Sequence, residues 1–229
     1  MVTGVVLAGG AFTQQVMPAS LRRRSECSGG DESFLVVAAD SGADLAARLG
    51  ISVDIVVGDL DSVSPQTLAA ARDAGAEIRH YPTDKDQTDL ELALAIAVEA
   101  GATQLVVLGG AGGRFDHLLA NVGVIAAAAQ RHRPVSVAAW IGEAFVAFLD
   151  ASTSDTWTAD LPEATTLSVL PWSGDAVVSE AGVRWPLSRH RLTAGSALGV
   201  SNEALGGGVV VTVHEGTALV IIPEAEVLT

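Results

Sequence analysis

Short apolar runs alternate with helical patterns through the first half of the chain. The runs rich in branched residues are Gly4–Gly10, Phe34–Asp40, Asp54–Asp59 and Gln104–Gly110, with a weaker one at Ala76–Pro82. The first four are continuously apolar rather than alternating, which is typical of strands buried on both faces of a parallel sheet. The pattern therefore predicts five strands of such a sheet.

Four helices are predicted between and after these runs. The first three end at a glycine suited to a helix C-terminus, and they are Ala43–Leu49 before Gly50, Pro65–Ala74 before Gly75 and Asp89–Ala100 before Gly101. The fourth, Asp116–Ala129, is rich in alanine. Ser64 ahead of a proline and Thr88 three residues ahead of a glutamate are N-cap signatures. Strands that alternate with helices in this way indicate an open α/β sheet.

The pattern changes after residue 134. Val135–Ile141 and Ala144–Leu149 are strand-like, and short alternating stretches then follow at Thr165–Leu170, Ala176–Ser179, Val209–His214 and Ala218–Ile222. Glycine, proline, asparagine and serine separate them, as in an all-β structure. We therefore predict an α/β domain with an open parallel, Rossmann-like sheet at residues 1–150, followed by a smaller all-β sandwich domain at residues 151–229.

Composition restricts the possible partners. The formal charge is −14, from 27 acidic and 13 basic residues, so the surface repels a nucleic-acid backbone. A polyphosphate can still bind if a divalent cation intervenes. A single cysteine, no apolar run long enough for a membrane helix, and a start without a charged targeting region lead us to expect a cytoplasmic protein that binds neither nucleic acid nor membrane.

Residues 11–33 break the alternation of strands and helices. They are polar and contain Arg22-Arg23-Arg24 and Gly29-Gly30, which predicts a mobile loop with room for one short helix. The arginines could reach a phosphate, but a solvated loop face is the favoured interpretation.

Charged side chains follow the predicted strands where each strand ends. They are Asp40, Asp59, Asp61, Lys85, Asp86, Asp89, Arg114 and Asp116. The carboxyl ends of parallel strands meet at one edge of an open sheet, which is where ligands bind. Carboxylates this close repel one another unless a cation lies between them, and Mg²⁺ prefers such oxygen ligands. Asp59, Asp61 and Asp89 are the predicted metal ligands, while Lys85 and Arg114 supply positive charge for phosphate oxygens.

Each of these residues also has a purely structural interpretation. Thr88, Asp89 and Asp116 could simply cap helices, since the helix dipole favours them there. His117 could be an ordinary surface histidine, and Trp185 could be a core or interface aromatic. The placement of so many charged groups at one sheet edge favours the functional interpretation.

Four ordered segments carry a family resemblance. They are Ala39-Asp40-Ser41-Gly42-Ala43, GDLDS at 58–62, KDQTDLE at 85–91 and GGRFDH at 112–117, with weaker matches at Gly182–Leu187 and Gly199–Asn202. Together they resemble the thiamine pyrophosphokinases. The resemblance implies an N-terminal α/β domain, a C-terminal β-sandwich and a homodimer with active sites shared between subunits. It also implies that ATP and thiamine give AMP and thiamine diphosphate in the presence of Mg²⁺.

The resemblance also implies roles for individual residues. The metal would be held by Asp59, Asp61 and Asp89. The residues around the triphosphate and the attacking hydroxyl would be Asp40, Lys85, Asp86, Thr88, Arg114, Asp116 and His117. Asp61 or Asp89 could accept the hydroxyl proton, and Trp185, Ser201 and Asn202 match the segments that form the thiamine pocket. Leu60 stands where the family commonly has an aromatic residue, and we expect only a packing change from it.

Three alternatives remain open at this point. A pyrophosphokinase for another heterocyclic alcohol, such as a hydroxymethylpterin, would keep the acidic edge and change the acceptor pocket. A nucleotidyltransferase is suggested by Leu7-Ala8-Gly9-Gly10 together with an Asp-x-Asp pair, although the basic signature expected after the glycines is missing at 11–15. A non-catalytic sensor of thiamine diphosphate or nucleotide could use the same fold.

Overall fold

Six parallel strands form the N-terminal part of one large sheet in the computed structural model, which describes residues 2–12, 21, 34–131, 136–153 and 155–228. The strands are β1 (Val2–Leu7), β2 (Phe34–Ala39), β3 (Ile55–Gly58), β4 (Glu77–His80), β5 (Ala102–Leu108) and β6 (Ser136–Ile141). Their order is β6-β5-β1-β2-β3-β4, and neighbouring strands are parallel. The chain adds strands to one side of β1 and then returns to its other side with β5. This reversal creates a crevice at the carboxyl ends of β1 and β5, where open sheets bind ligands.

Four helices connect these strands, as predicted. They are α1 (Gly42–Leu49), α2 (Pro65–Asp73), α3 (Asp89–Glu99) and α4 (Phe115–Arg131). The side chain of Ser64 accepts a hydrogen bond from the Thr67 N–H, and that of Thr88 accepts one from the Glu91 N–H, so both predicted N-caps are confirmed. Gly50 ends α1 in the left-handed conformation, with φ 67°.

Helices cover both faces of the parallel part of the sheet, which explains why its strands are continuous apolar runs in the sequence. Successive strand residues point to opposite faces, so Val5 and Leu7 pack with Leu45 of α1, whereas Val6 packs with α3 and α4 on the other face. All four of these side chains are buried, and a polar residue at any of the positions would lose its water.

The sheet continues into the C-terminal part through antiparallel strands. These are β7 (Ala144–Asp150), β8 (Thr156–Leu161), β9 (Thr166–Ala181), β10 (Leu187–Leu192), β11 (Asn202–Glu203) and β12 (Gly207–Ile222). Residues 217–222 of β12 pair with β7, whereas residues 207–212 of the same strand pair with β8. A mixed α/β fold with one large hydrogen-bonded sheet is therefore present.

The sequence predicted four short C-terminal stretches where the structure has two 16-residue strands. The predicted break between Val209–His214 and Ala218–Ile222 was wrong, because β12 runs through it. The register against β9 shifts on both sides of Glu215, and Gly216 takes φ 75°, so the turn residues form an irregularity within one strand. The separate stretches Thr165–Leu170 and Ala176–Ser179 are joined in β9 in the same way.

Two further sequence predictions concern the loop at residues 11–33 and membrane helices. Most of the loop predicted at 11–33, including Arg22–Arg24, lies outside the described residues. Within the described ranges, the structure contains no helix that is both long and apolar enough to cross a membrane.

Candidate active site

A cleft of about 470 Å³ opens at the carboxyl edge of the parallel strands. Its walls come from the loops after β1 to β5 and from the N-terminal turns of α3 and α4. The residues that line it include Ala8, Gly9, Gly10, Asp40, Ser41, Asp59, Asp61, Ser62, Lys85, Thr88, Asp89, Gly110, Gly112, His117 and Asn121. The cleft thus lies at the crevice that the strand order creates.

Three carboxylates meet in this cleft. Asp40 follows β2, Asp59 follows β3, and Asp89 is the first residue of α3. One carboxylate oxygen from each lies within 4.8 Å of the others. Each side chain is partly buried, so water screens their mutual repulsion poorly. We call these three residues the acidic trio.

The electrostatics of the acidic trio favour a bound cation. Burial, with the Asp89 charge in addition, raises the pKa of Asp40 above its usual value, and Oδ1 of Asp40 is buried without a hydrogen-bond partner among the described residues. Burial of Asp59 acts in the same direction, but hydrogen bonds from Asp61 and Thr83 outweigh it and lower the pKa of Asp59. Nζ of Lys85 lies 3.1 Å from Oδ1 of Asp89. Clustered, incompletely partnered oxygen donors of this kind fit Mg²⁺.

The backbone around the acidic trio is strained. Asp40 and Leu60 have φ of 46° and 63°, a conformation that non-glycine residues rarely adopt. Gly58 has φ 144°, and a Cβ there would lie 3.0 Å from Cγ of Asp89 and 3.2 Å from Cβ of Asp40. Glycine at 58 therefore lets Asp89 approach β3. The partly buried side chain of Leu60 packs against a small apolar cluster that includes Val56 and Val63.

Glycines bring the loops after β1 and β5 into close contact on the other side of the cleft. The Ala11 N–H donates to the Ala111 carbonyl at 2.7 Å, and a Cβ on Gly10 would lie 2.1 Å from that same oxygen. Nδ2 of Asn121 on α4 donates to the Gly110 carbonyl at 3.0 Å and anchors the second loop. The result is a wall of small residues that leaves room for a ligand's phosphates.

Among the residues predicted from sequence, Lys85, Thr88 and His117 line the cleft together with the acidic trio. Asp61 also lines it, but its carboxylate is not in the trio and accepts from the Ser62 hydroxyl at 2.9 Å. The predicted metal set therefore differs from the observed cluster in one residue, with Asp40 in place of Asp61.

Three other predicted residues lie outside the residues that line the cleft. Asp86 is exposed. Arg114 and Asp116 form an exposed ion pair at the start of α4, with side chains 69% and 62% accessible. The hydrogen bond from Arg114 lowers the pKa of Asp116 to about 2. In this arrangement the two residues bind each other.

The predicted acceptor residues lie together in the C-terminal part, away from the cleft. Trp185 is 54% exposed, and the guanidinium of Arg184 stacks 4.9 Å from its ring centroid. Ser201 has φ 62°, and its N–H donates to Oγ of Ser168 at 3.0 Å. Asn202 is buried and hydrogen-bonds the backbone of Trp185 through both its amide oxygen and its amide nitrogen.

Sequence reasoning placed Asp40 at the triphosphate and missed one residue that lines the cleft. Asp40 does line the cleft, and it also lies in the carboxylate cluster, where the spacing of the Asp59–Asp61 pair had favoured Asp61. Asn121 was not considered, although helical periodicity places it one turn after His117 on the same face of α4.

A doubly wound parallel sheet with a carboxylate cluster and a glycine wall at its carboxyl edge places this chain in the class of open α/β proteins that bind ligands at that edge, and the cluster has the chemistry of a divalent-cation site. Comparison with known proteins narrows the class. The family model described as thiamin pyrophosphokinase, catalytic domain, matches residues 30–137, and the model of the thiamin pyrophosphokinase vitamin B1 binding domain matches residues 157–218. Together they cover about three quarters of the chain, which belongs to the thiamin pyrophosphokinase family.

Individual relatives agree with this assignment. The chain is 27% identical to thiamine pyrophosphokinase of Bacillus subtilis (strain 168) over 176 residues, which is 76% of this chain and 80% of the relative. A shorter match, 36% identical over 78 residues, links it to thiamine pyrophosphokinase 3 of Oryza sativa subsp. japonica, at 31% of this chain and 29% of the relative.

Solved structures share the fold. The crystal structure of thiamine pyrophosphokinase from Bacillus subtilis superposes with a TM-score of 0.77 at 24% identity, covering 96% of this chain and 98% of the other. Yeast thiamin pyrophosphokinase gives a TM-score of 0.72 at 14% identity, covering 99% and 88%.

Proposed function

We propose that this chain transfers the pyrophosphoryl group of ATP to the hydroxyl of thiamine, giving thiamine diphosphate and AMP. The observation that carries the proposal is that the chain contains, in order, a match to a catalytic domain and a match to a vitamin B1 binding domain, each with its expected site residues. The acidic trio falls within the match to the catalytic domain, and Trp185, Ser201 and Asn202 fall within the match to the vitamin B1 binding domain.

The acidic trio is the proposed Mg²⁺ site, with Asp61 beside it. Bound Mg²⁺ would neutralise charge on the phosphate oxygens of ATP. The chain's own contribution is positional: the glycine wall admits the phosphates, and Lys85, now 3.1 Å from Asp89, carries a positive charge into the same cleft. Catalysis of this transfer needs mainly in-line placement of the hydroxyl and charge neutralisation. Asp61 and Asp89 are both candidates to accept the hydroxyl proton.

A homodimer with shared active sites is the second part of the proposal. Among the described residues, those that line the cleft all come from the N-terminal part, and the acceptor residues do not join them. Six strand positions separate β2 from β9 in the sheet, roughly 29 Å along it at 4.8 Å per strand. Exposed Phe115 and Leu119 beside the cleft, and exposed Trp185 and Leu198 in the C-terminal part, are apolar surfaces that a second copy could cover.

We also propose that residues 1–150 and 151–229 act as two domains, the second a β-sandwich. The change of partner along β12, from β8 in its first half to β7 in its second, supports two packed β layers. A cytoplasmic setting is proposed from the single cysteine of the sequence.

The decisive experiment incubates the protein with ATP, thiamine and Mg²⁺ and measures AMP by a coupled assay. We expect AMP and thiamine diphosphate in equal amounts. Release of inorganic pyrophosphate instead would identify a nucleotidyltransferase, and binding of thiamine without turnover would identify a sensor. Thermal shift with thiamine, pyrithiamine and hydroxymethylpterin tests the acceptor, since stabilisation by the pterin alone would reject thiamine.

A further inference from the structure

The side-chain amide of Asn202 clamps the segment that carries Trp185. Its Oδ1 accepts from the N–H of Trp185 at 3.1 Å and from the N–H of Glu203 at 3.0 Å. Its Nδ2 donates to the Trp185 carbonyl at 2.9 Å and to Oε2 of Glu180 at 3.0 Å. Both backbone groups of Trp185 are therefore held by a single buried amide, and Glu180 is the side chain that holds the amide.

Glu180 is an unusual residue for its place in the fold. It lies on β9 two residues after Val178, on the same buried face of the strand, and it is 2% exposed. It pairs in the sheet with Val211 of β12, which is fully buried. Oε1 of Glu180 has no hydrogen-bond partner within the part of the chain that the structure describes. A half-satisfied carboxyl group in an apolar environment destabilises the fold, and an apolar side chain of similar size would pack there without that penalty.

The carboxyl group contributes an acceptor with a defined direction. An asparagine amide can be turned so that its oxygen and nitrogen exchange places, and neighbouring groups decide between the two orientations. Oε2 of Glu180 accepts from the nitrogen of Asn202, and this contact favours the orientation in which the oxygen accepts from the N–H groups of Trp185 and Glu203.

We infer that Glu180 is a positioning residue for the acceptor: through Asn202 it fixes the backbone of Trp185 and of residues 201–203. The inference rests on the proposed function, in which these residues contact thiamine. Glu180 itself has no contact with substrate in this scheme and acts on binding only through Asn202. The carboxyl group lowers stability and, through Asn202, orients the proposed pocket.

The experiment compares Glu180→Leu with Glu180→Gln. Leucine fills a similar volume without an acceptor, whereas glutamine keeps both the shape and an acceptor for Nδ2 of Asn202. Thr217→Val is a matched control, because Thr217 is also a buried polar residue of the β structure and its hydrogen bonds go to Gln130 and Asp150 rather than to Asn202.

The first measurement needs no substrate. Hydrogen exchange at the backbone amides of Trp185 and Glu203, followed by NMR in the folded protein, should accelerate about tenfold in Glu180→Leu, the size of one lost hydrogen bond. Glu180→Gln and Thr217→Val should exchange at these two amides as the wild type does. The midpoint of thermal unfolding at pH 8 should be equal or higher in Glu180→Leu.

The second measurement is steady-state kinetics. We expect the KM for thiamine to rise about tenfold in Glu180→Leu and to return to the wild-type value in Glu180→Gln, with the KM for ATP unchanged in both.

Unchanged amide exchange in Glu180→Leu, or a glutamine variant that behaves like the leucine one, would overturn the inference. A leucine variant that fails to fold would also overturn it, because the carboxyl group would then be a stabilising one. If the wild type does not turn over thiamine, the proposed function fails, and amide exchange still decides whether Glu180 positions Trp185.

Discussion

The donor cleft and the acceptor segment of this chain are built by opposite means. In the cleft, side chains converge because parallel strands end at one edge, and the acidic trio is held by backbone turns at Asp40, Gly58 and Leu60. In the acceptor segment, backbone groups are fixed by the side chains of Asn202 and, behind it, Glu180.

The two regions lower the stability of the fold in different ways. The cleft holds like charges and strained φ angles close together, at a surface where a bound cation can relieve the repulsion. Behind the acceptor segment lies the buried carboxyl group of Glu180, whose Oε1 has no hydrogen-bond partner among the described residues. A change in the cleft should therefore alter metal binding and turnover, whereas a change behind the acceptor segment should alter stability and acceptor affinity.

The largest effect is expected from Asp89→Asn. The variant removes one charge from the acidic trio and the partner of Lys85, so kcat/KM for the transfer should fall by roughly a thousandfold or more, about 4 kcal/mol. Circular dichroism and thermal unfolding should show a preserved fold. Asp73→Asn removes the same charge from an exposed site at the end of α2 and should leave turnover unchanged. Near-normal turnover in Asp89→Asn would remove the case for the metal site.

The next effect is a dependence of stability on pH that originates at Glu180. Burial raises the pKa of Glu180 from 4.5 to about 7, so between these values the folded chain holds a proton that the unfolded chain has lost. Stability linked to this group is complete below pH 4.5 and is lost as the pH rises through 7, by about 3 kcal/mol.

Urea unfolding of the wild type and of Glu180→Gln between pH 4.5 and about pH 8 measures this dependence. Glutamine does not titrate, so the difference between the two proteins should change by that amount over the window. Parallel curves would mean that the carboxyl group is solvated in the folded protein.

The contrast also explains what the sequence could and could not predict. The parallel strands, Gly50 at the end of α1 and the N-caps at Ser64 and Thr88 were predictable, because local spacing and residue type decide them. That Asp40, Asp59 and Asp89 lie at one edge of the sheet followed from strand direction. The identity of the trio did not, because Asp40 joins it through a left-handed turn that the sequence does not specify.

The C-terminal part was less predictable for a related reason. Glycine-containing irregularities in β9 and β12 look like turns in the sequence, and only pairing with neighbouring strands keeps each chain segment extended. The role of Asn202 was assigned by resemblance, and Glu180 was not considered, since a single glutamate in a strand carries no local signal that its side chain is buried.

Gly58→Ala tests the backbone of the cleft directly. The added Cβ would lie 3.0 Å from Cγ of Asp89 and 3.2 Å from Cβ of Asp40, and φ of 144° disfavours any side chain. Displacement of Asp89 should weaken binding of divalent metal by roughly 30-fold, about 2 kcal/mol, in a Mn²⁺ titration followed by electron paramagnetic resonance. Gly75→Ala is the control, because Gly75 also has a positive φ, 96°, but a Cβ there would have no neighbour within 4 Å among the described residues. Equal metal affinity in both variants would show that the approach of Asp89 to β3 is not needed.

The smallest effect is expected from Trp185→Ala, and it bears on the other half of the comparison. Trp185 is exposed, so its removal should change stability little, and Arg184, which stacks on the indole, keeps its ion pair with Glu203 at 2.8 Å. If the indole contacts the cationic thiazolium of thiamine, the KM for thiamine should rise about tenfold, near 1.4 kcal/mol, with kcat and the KM for ATP retained. Trp185→Phe should recover part of that affinity, and Val210→Ala, another exposed apolar truncation, should not change it.

An unchanged KM for thiamine in Trp185→Ala would make the indole part of a protein interface rather than of the acceptor pocket. The clamp formed by Asn202 and Glu180 would then orient that interface.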